Sequence, residues 1–243
     1  MKTRLFVAAL FLGTALSLRA QSEAQFTKAN QEYATGDFKA ATADYEELVR
    51  AGQDTPNLFY NLGNAYFRQK DFGRAILNYE RALALDPRHP EAQANLRIAR
   101  DEARALELLS TRIERWLAVA TTDQYTVAGG IAFWVGAFAI AMFVFNRRRA
   151  ALALSILSMS ILVVALFAIY QLNRGKNGSG LAVVITDNAE ARLATADTAS
   201  RVLTLPAGSE IQILSRRGDW IYAGLPNNLR GWMPANSAEQ VRM

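Results

Sequence analysis

Four asparagines in the first half of the chain fall into two registers, Asn30 with Asn64 and Asn61 with Asn95, the members of each pair 34 residues apart. Aromatic residues repeat with the same step: Phe26 with Tyr60, and Tyr33 with Phe67. An amide side chain carries both a donor and an acceptor, so asparagines stepped along one surface can bind an extended peptide backbone whatever its side chains. Rings beside them supply apolar contact area. The competing role for Asn61 and Asn95 is local, satisfying neighbouring helix backbone. With Arg68, these nine residues are the candidate partner-binding set.

Catalytic chemistry has less to work with. It requires a nucleophile with a base, paired acids or metal ligands. The one histidine, His89, stands in Asp86-Pro87-Arg88-His89-Pro90 and reads as a solvated turn residue. The chain has no cysteine, no His-Glu-x-x-His run, no Gly-x-Ser-x-Gly and no Walker loop. Its carboxylates are scattered over helical stretches without a partner that would tune one as an acid. The expectation is a protein that is not an enzyme and uses no cofactor or metal.

The elements that position the asparagines repeat as well. Gly36-Asp37-Phe38 recurs as Lys70-Asp71-Phe72, Ala41 as Ala75, Tyr45 as Tyr79 and Ala29 as Gly63. A fixed period of this length marks stacked helix pairs. Small Gly63, Ala75 and Ala82 allow close approach, large Phe59, Tyr66 and Tyr79 fill the space beside them, and Pro87 ends the second helix. Phe59, Leu62-Gly63, Tyr66, Ala75, Tyr79, Ala82 and Pro87 closely resemble the tetratricopeptide repeat family. That resemblance implies an all-α repeat domain, here residues 21–120, whose first helices line a concave groove. It does not extend to carboxylate-clamp members, because Phe26, Glu91 and Asn95 stand where the clamp needs lysine or arginine. The first copy carries Lys28 and Glu32 where the second has Leu62 and Tyr66, and reads as a solvated end. After Pro90 a helix from Glu91 to about Ala120 is expected to close the other end, laced by i, i+3 and i, i+4 ion pairs.

Two apolar runs follow, 126–145 and 150–170, without an Asp, Glu, Lys, Arg or His side chain. At roughly 1.5 Å per residue, each spans the ~30 Å hydrocarbon layer of a bilayer. The intervening residues 146–149 are too few for a crossover, so an antiparallel transmembrane hairpin is expected over 125–170. Ala128, Ala132 and Gly136 on the first helix and Ser155, Ser158 and Ala165 on the second are the expected seam. Trp116 and Tyr125 fit an interfacial position, and Thr121 with Gln124 fits a capping box. Arg147, Arg148 and Arg149 mark the loop as cytoplasmic, which places both flanking domains on the other side.

Residues 1–20 read as a signal peptide, with Lys2 and Arg4 before an apolar run that ends near Ala20. Signal and loop together argue for a two-pass protein of a bacterial inner membrane with both soluble domains periplasmic. The net charge of +5 resides largely in those two places. Residues 21–120 carry 13 Lys/Arg against 15 Asp/Glu and residues 171–243 carry 8 against 6, without the excess that a phosphate backbone demands, so no nucleic-acid partner is expected.

Residues 171–180, rich in glycine, read as a flexible linker tethering a separate tail. In the tail, residues 181–243, the period changes. Runs at 181–186, 201–205, 210–215, 220–223 and 230–233 read as strands, punctuated by Pro206-Ala207-Gly208, Arg217-Gly218-Asp219 and Pro226-Asn227-Asn228. Five short strands suggest a small barrel. The order Ala182-Val183-Val184, Ala191-Arg192-Leu193, Leu205-Pro206-Ala207-Gly208, Gly218-Asp219-Trp220 and Gly231-Trp232 resembles the bacterial SH3-like (SH3b) family. Trp220, Tyr222 and Trp232 are either core or half-buried residues of this fold or a ligand surface.

Taken whole, the order of signal, repeats, hairpin with an arginine loop and SH3-like tail resembles the BatE proteins of the bacterial aerotolerance-associated Bat cluster. The resemblance implies a membrane accessory of von Willebrand A-type Bat proteins and a MoxR-type ATPase, acting in envelope maintenance or stress tolerance. The alternative is a cell-wall protein holding peptidoglycan through its tail.

Overall fold

The computed structural model describes residues 21–146, 149–174 and 178–242. The expected signal peptide, Arg147 and Arg148 of the expected loop, and residues 175–177 of the expected linker lie outside them. The chain forms two compact units, one from the residues up to Glu107 together with those from Ala182 onward, the other Leu108–Leu181.

In the first unit a helix over residues 21–35 (α1) precedes α2 (Phe38–Arg50), α3 (Pro56–Arg68), α4 (Phe72–Leu85) and α5 (Pro90–Ala103). The 34-residue period is visible in the caps. Asp37 accepts from Ala40 N at 3.1 Å to start α2, and Asp71 accepts from Arg74 N at 3.1 Å to start α4. The residue before each cap is left-handed, Gly36 at φ +88 and Lys70 at φ +64. Between the helices the expected packing holds: Phe59, Ala75, Tyr79 and Ala82 are buried. A Cβ on Gly63 would meet the Tyr79 ring at 2.7 Å, which is why α3 carries glycine there.

α5 is shorter than expected. It stops at Ala103, with Arg104 in the left-handed region (φ +50), and does not run on to Ala120. Leu106 leaves the helix because the sheet claims it: its N–H donates to Ser209 Oγ at 3.1 Å, its carbonyl accepts from Glu210 N at 2.8 Å, and its side chain packs on the sheet's core.

That sheet has seven strands: β1 (Leu181–Val184), β2 (Ala189–Arg192), β3 (Arg201–Leu205), β4 (Glu210–Arg217), β5 (Trp220–Gly224), β6 (Arg230–Pro234) and β7 (Ala238–Gln240). The order β3-β2-β6-β5-β4-β1-β7 leaves β3 and β7 at the edges, so the sheet is not closed into the expected small barrel. β2 and β7 were not among the five expected runs. Ala-Glu-Ala-Arg in β2 and Ala-Glu-Gln in β7 lack the β-branched and aromatic residues that mark a strand. Ala182, Val184, Leu205, Ile211, Ile221, Ala223 and Met233 form its buried core.

The tail is docked on α4 and α5, not tethered free of them. Arg81, with only 7% of its side chain exposed, holds Glu239 at 2.7 Å and the Gln240 carbonyl at 3.1 Å. Arg100 pairs with Glu80, with fully buried Glu210, and with Glu107 at 3.2 Å. The expected short-range pairs along α5 are replaced, at Arg100, by this long-range use. Close approach needs small residues: a Cβ on Gly73 would fall 3.1 Å from the Val184 carbonyl oxygen and 3.2 Å from Ala207 Cβ.

In the second unit a short helix, α6 (Arg112–Leu117), leads to α7 (Thr122–Asn146) and α8 (Arg149–Arg174). Both expected boundaries give way to helix, since α7 includes Asn146, α8 starts at Arg149, and the start of the expected linker is the end of α8. The Thr121–Gln124 capping box is present, at 2.9 and 3.2 Å. α7 and α8 are long and apolar enough to cross a membrane. Their seam buries Gly129, Ala132, Gly136 and Ala139 against Ser158, Ala165 and Ala168. Expected Ala128 is exposed and Gly129 takes its place, because a Cβ at 129 would already touch Ala165 Cβ at 3.2 Å.

Candidate functional site

The first helix of each pair presents the candidate residues: Phe26, Asn30 and Tyr33 on α1, Tyr60, Asn61, Asn64, Phe67 and Arg68 on α3, and Asn95 on α5. All but exposed Arg68 are half-buried. Tertiary structure links the asparagines in a way their spacing alone did not predict. Asn30 Oδ1 accepts from Asn61 Nδ2 at 3.0 Å and from the Tyr45 hydroxyl at 2.6 Å. One period on, Asn64 Oδ1 accepts from Asn95 Nδ2 at 2.8 Å and from the Tyr79 hydroxyl at 2.7 Å. The result is a ladder of two like rungs joining α1, α3 and α5, the second strengthened by Asn95 Nδ2 donating to the Tyr60 hydroxyl at 3.4 Å.

Asn61 and Asn95 thus bind another asparagine side chain, not the helix backbone that the local alternative supposed. The arrangement leaves part of each amide unspent. Nδ2 of Asn30 and Asn64, and Oδ1 of Asn61 and Asn95, hydrogen-bond no other described residue. Donors and acceptors therefore alternate along a half-buried face, the pattern that an extended backbone complements.

Sequence reasoning assigned Tyr45 and Tyr79 to the core alone. Their 34-residue spacing was the available signal for a second role, but a hydroxyl's partner is not legible from its position. Burial pushes the Tyr45 phenol up to about 12, an effect the Asn61 amide partly offsets, and burial likewise raises Tyr79. Both hydroxyls stay protonated and hold the asparagine oxygens in place.

The aromatics repeat as tightly. Phe26 packs on Tyr45 at 5.9 Å and Tyr60 on Tyr79 at 6.2 Å; Tyr33 meets Phe38 edge-on at 5.2 Å and Phe67 meets Phe72 at 5.5 Å. Arg68 lies over the Phe38 ring, 4.5 Å from its centre, and so ties the two repeats together while its side chain stays exposed. His89 is not a solvated turn residue. It caps α5, its Nδ1 accepting from Ala92 N at 3.3 Å, and stacks on Tyr60 at 5.0 Å.

The tail aromatics stand on two neighbouring strands. β5 and β6 alternate, with Ile221, Ala223, Gly231 and Met233 buried and Trp220, Tyr222 and Trp232 half-buried on the opposite side. Tyr222 and Trp232 are cross-strand partners with rings 5.0 Å apart. They lie half-buried on the face opposite the core, a position that suits either a fold residue or a ligand surface. Of the arginines expected to set topology, only Arg149 is described, and it is exposed at the start of α8. Among the described residues no group of three or more His, Cys, Asp or Glu side chains is placed to hold a metal ion.

Residues 56–89 match the tetratricopeptide repeat family, and residues 29–70 match the TPR repeat. The matched segments cover the candidate residues except Phe26 and Asn95. No curated protein matches the chain.

Proposed function

We propose that this chain is a non-enzymatic scaffold of a bacterial inner membrane, whose repeat groove takes an extended segment of a partner protein. The observation that carries this reading is the asparagine ladder, with unspent donors and acceptors flanked by Tyr33, Tyr60 and Phe67. Repeats of this family are protein-interaction modules. The long apolar helices α7 and α8 would anchor the scaffold with Arg147, Arg148 and Arg149 in the cytoplasm and both soluble parts outside. The seven-stranded tail fits an SH3-like module, and the architecture as a whole points to von Willebrand A-type Bat proteins as partners.

The test is co-purification of the full chain with a co-expressed von Willebrand A-type Bat protein. An Asn30→Ala/Asn61→Ala/Asn64→Ala variant should lose affinity by about ten- to several-hundred-fold at roughly 0.5 to 1.5 kcal/mol per bond. Because Asn30 and Asn64 also hold Tyr45 and Tyr79, a Tyr45→Phe/Tyr79→Phe control, which loses those two hydroxyl bonds but keeps the amides and the asparagine pairs, should bind far closer to wild type than the triple variant does. Equal capture by a folded triple variant removes the groove from the mechanism. Protease added to spheroplasts should degrade both soluble parts, and protection of either reverses the topology.

The Tyr222–Trp232 pair and Trp220 on the outward face favour a second reading, in which the tail holds peptidoglycan. Rings that are half exposed and rigidly paired across strands suit the apolar face of a sugar. Pull-down on purified sacculi, abolished by Trp220→Ala with Tyr222→Ala, would support it.

A further inference from the structure

The connection into α7 carries apolar residues that nothing among the described residues covers. Leu109, Trp116 and Val119 are 75%, 83% and 84% exposed, and Ile113 is half exposed. Such a cluster is costly in water and marks an interaction surface. Two cations stand among them. Arg112 and Arg115 form no ion pair with another described residue, and with Trp116, Ala118 and Val119 they line a hollow of about 580 Å³.

The cluster cannot be moved freely with respect to the long helices. α6 rests against α8, and the Tyr125 hydroxyl on the first turn of α7 donates to the Leu117 carbonyl at 3.0 Å. A Thr111–Glu114 capping box at the start of α6 and the Thr121–Gln124 box after it fix both ends of the segment. Rings and guanidiniums are thereby held beside the point where the apolar run begins at residue 126.

We propose that α6 is an interfacial helix that binds the bilayer crossed by α7 and α8. Trp116 and Val119 enter the boundary between headgroups and acyl chains, and Arg112 with Arg115 takes the phosphate of an anionic phospholipid. The occupant follows from charge complementarity and from continuity with the apolar surface of α7. A tryptophan suits this boundary because its ring is apolar and its N–H needs a polar partner. The inference rests on the membrane reading of α7 and α8.

The chain has no cysteine, so single-cysteine variants report cleanly. The full chain carrying Val119→Cys, or Phe138→Cys on the exposed face of α7, is labelled with a polarity-sensitive fluorophore. Each is placed in nanodiscs of phosphatidylcholine and phosphatidylglycerol bearing nitroxide lipids. Position 138 should be quenched by nitroxides deep in the acyl chain and position 119 by shallow ones. At position 119, nitroxide phosphatidylglycerol should be enriched over phosphatidylcholine by about fivefold or more, the scale of one arginine at an anionic surface. Arg112→Gln with Arg115→Gln should abolish that preference. Quenching at 138 without quenching at 119 overturns the proposal, leaves the membrane reading intact and makes α6 a protein-facing surface. Equal quenching by the two lipids overturns the phosphate site. No quenching at 138 overturns the membrane reading itself, and the proposal with it.

Discussion

Arg81 on α4 and Glu239 on β7, 158 residues apart in sequence, meet at 2.7 Å. The same guanidinium holds the Gln240 carbonyl and lies 5.9 Å from the centre of the Phe59 ring, so one side chain joins the repeat core to the edge of the sheet. The repeats and the tail should therefore unfold together.

In the full chain carrying Trp116→Phe and Trp134→Phe, in detergent, helical circular dichroism and emission from the remaining tail tryptophans should show one coincident transition. Arg81→Ala should separate them. Removing a buried partner costs about 3 to 5 kcal/mol, and the value here should fall below that range because Glu239 remains 48% exposed. Two separate transitions with Arg81 in place would contradict docking.

Gly73→Val tests the same contact from the side of size. The added methyls meet the β1 backbone, and overpacking of this kind costs typically 1 to 3 kcal/mol. Hydrogen exchange should rise across β1 and β7 while the α2–α3 pair keeps its protection.

The buried phenols predict alkaline sensitivity. The Tyr45 value is raised from 10.0 to about 12, so the folded state holds its proton more tightly than the unfolded one. Its contribution is fully present below pH 10.0 and is lost as pH rises towards about 12. Tyr79 and Tyr66 are raised in the same direction by burial. The repeats should lose helix in that window as phenolate absorbance rises, and Tyr45→Phe should flatten the loss.

The α7–α8 seam can be read by cross-linking. A Cβ at position 129 would lie 3.2 Å from Ala165 Cβ, slightly inside the usual disulfide range of about 3.5 to 4.5 Å. Gly129→Cys with Ala165→Cys should oxidise to a disulfide. Ala128→Cys with Ala165→Cys should not, because Ala128 faces away. Reversal of the two outcomes would mean a rotated helix.

A Gly36→Ala change places a side chain in open space at φ +88, so its cost of about 1 kcal/mol would be conformational alone. Lys70, its counterpart one period later, already stands at φ +64, and Lys70→Gly should leave stability unchanged or raise it. Urea denaturation of both variants measures the difference.

Periodicity carries what depends on residue type and local spacing. The helix pairs at a 34-residue step, the close-packed Gly63 against Tyr79, the apolar helices and the Thr121–Gln124 cap were all legible, because each contact joins residues whose spacing is set within one or two turns or one repeat. The candidate asparagines were legible as a set, but their bonding was not. A 3.0 Å amide pair between Asn30 and Asn61 depends on how α1 and α3 pack, which no single helix contains. Contacts between distant segments were invisible. Nothing near Leu106 signals that its backbone would join Ser209 and Glu210, so an uninterrupted helix was the natural expectation from propensity. A glycine-rich connector likewise suggests independence, whereas ion pairs from Arg81 and Arg100 hold the tail against the repeats. Residue type and spacing set the elements and the surfaces they offer. Which surfaces meet was decided by tertiary packing, because burial and charge pairing are settled only when distant segments exclude water together.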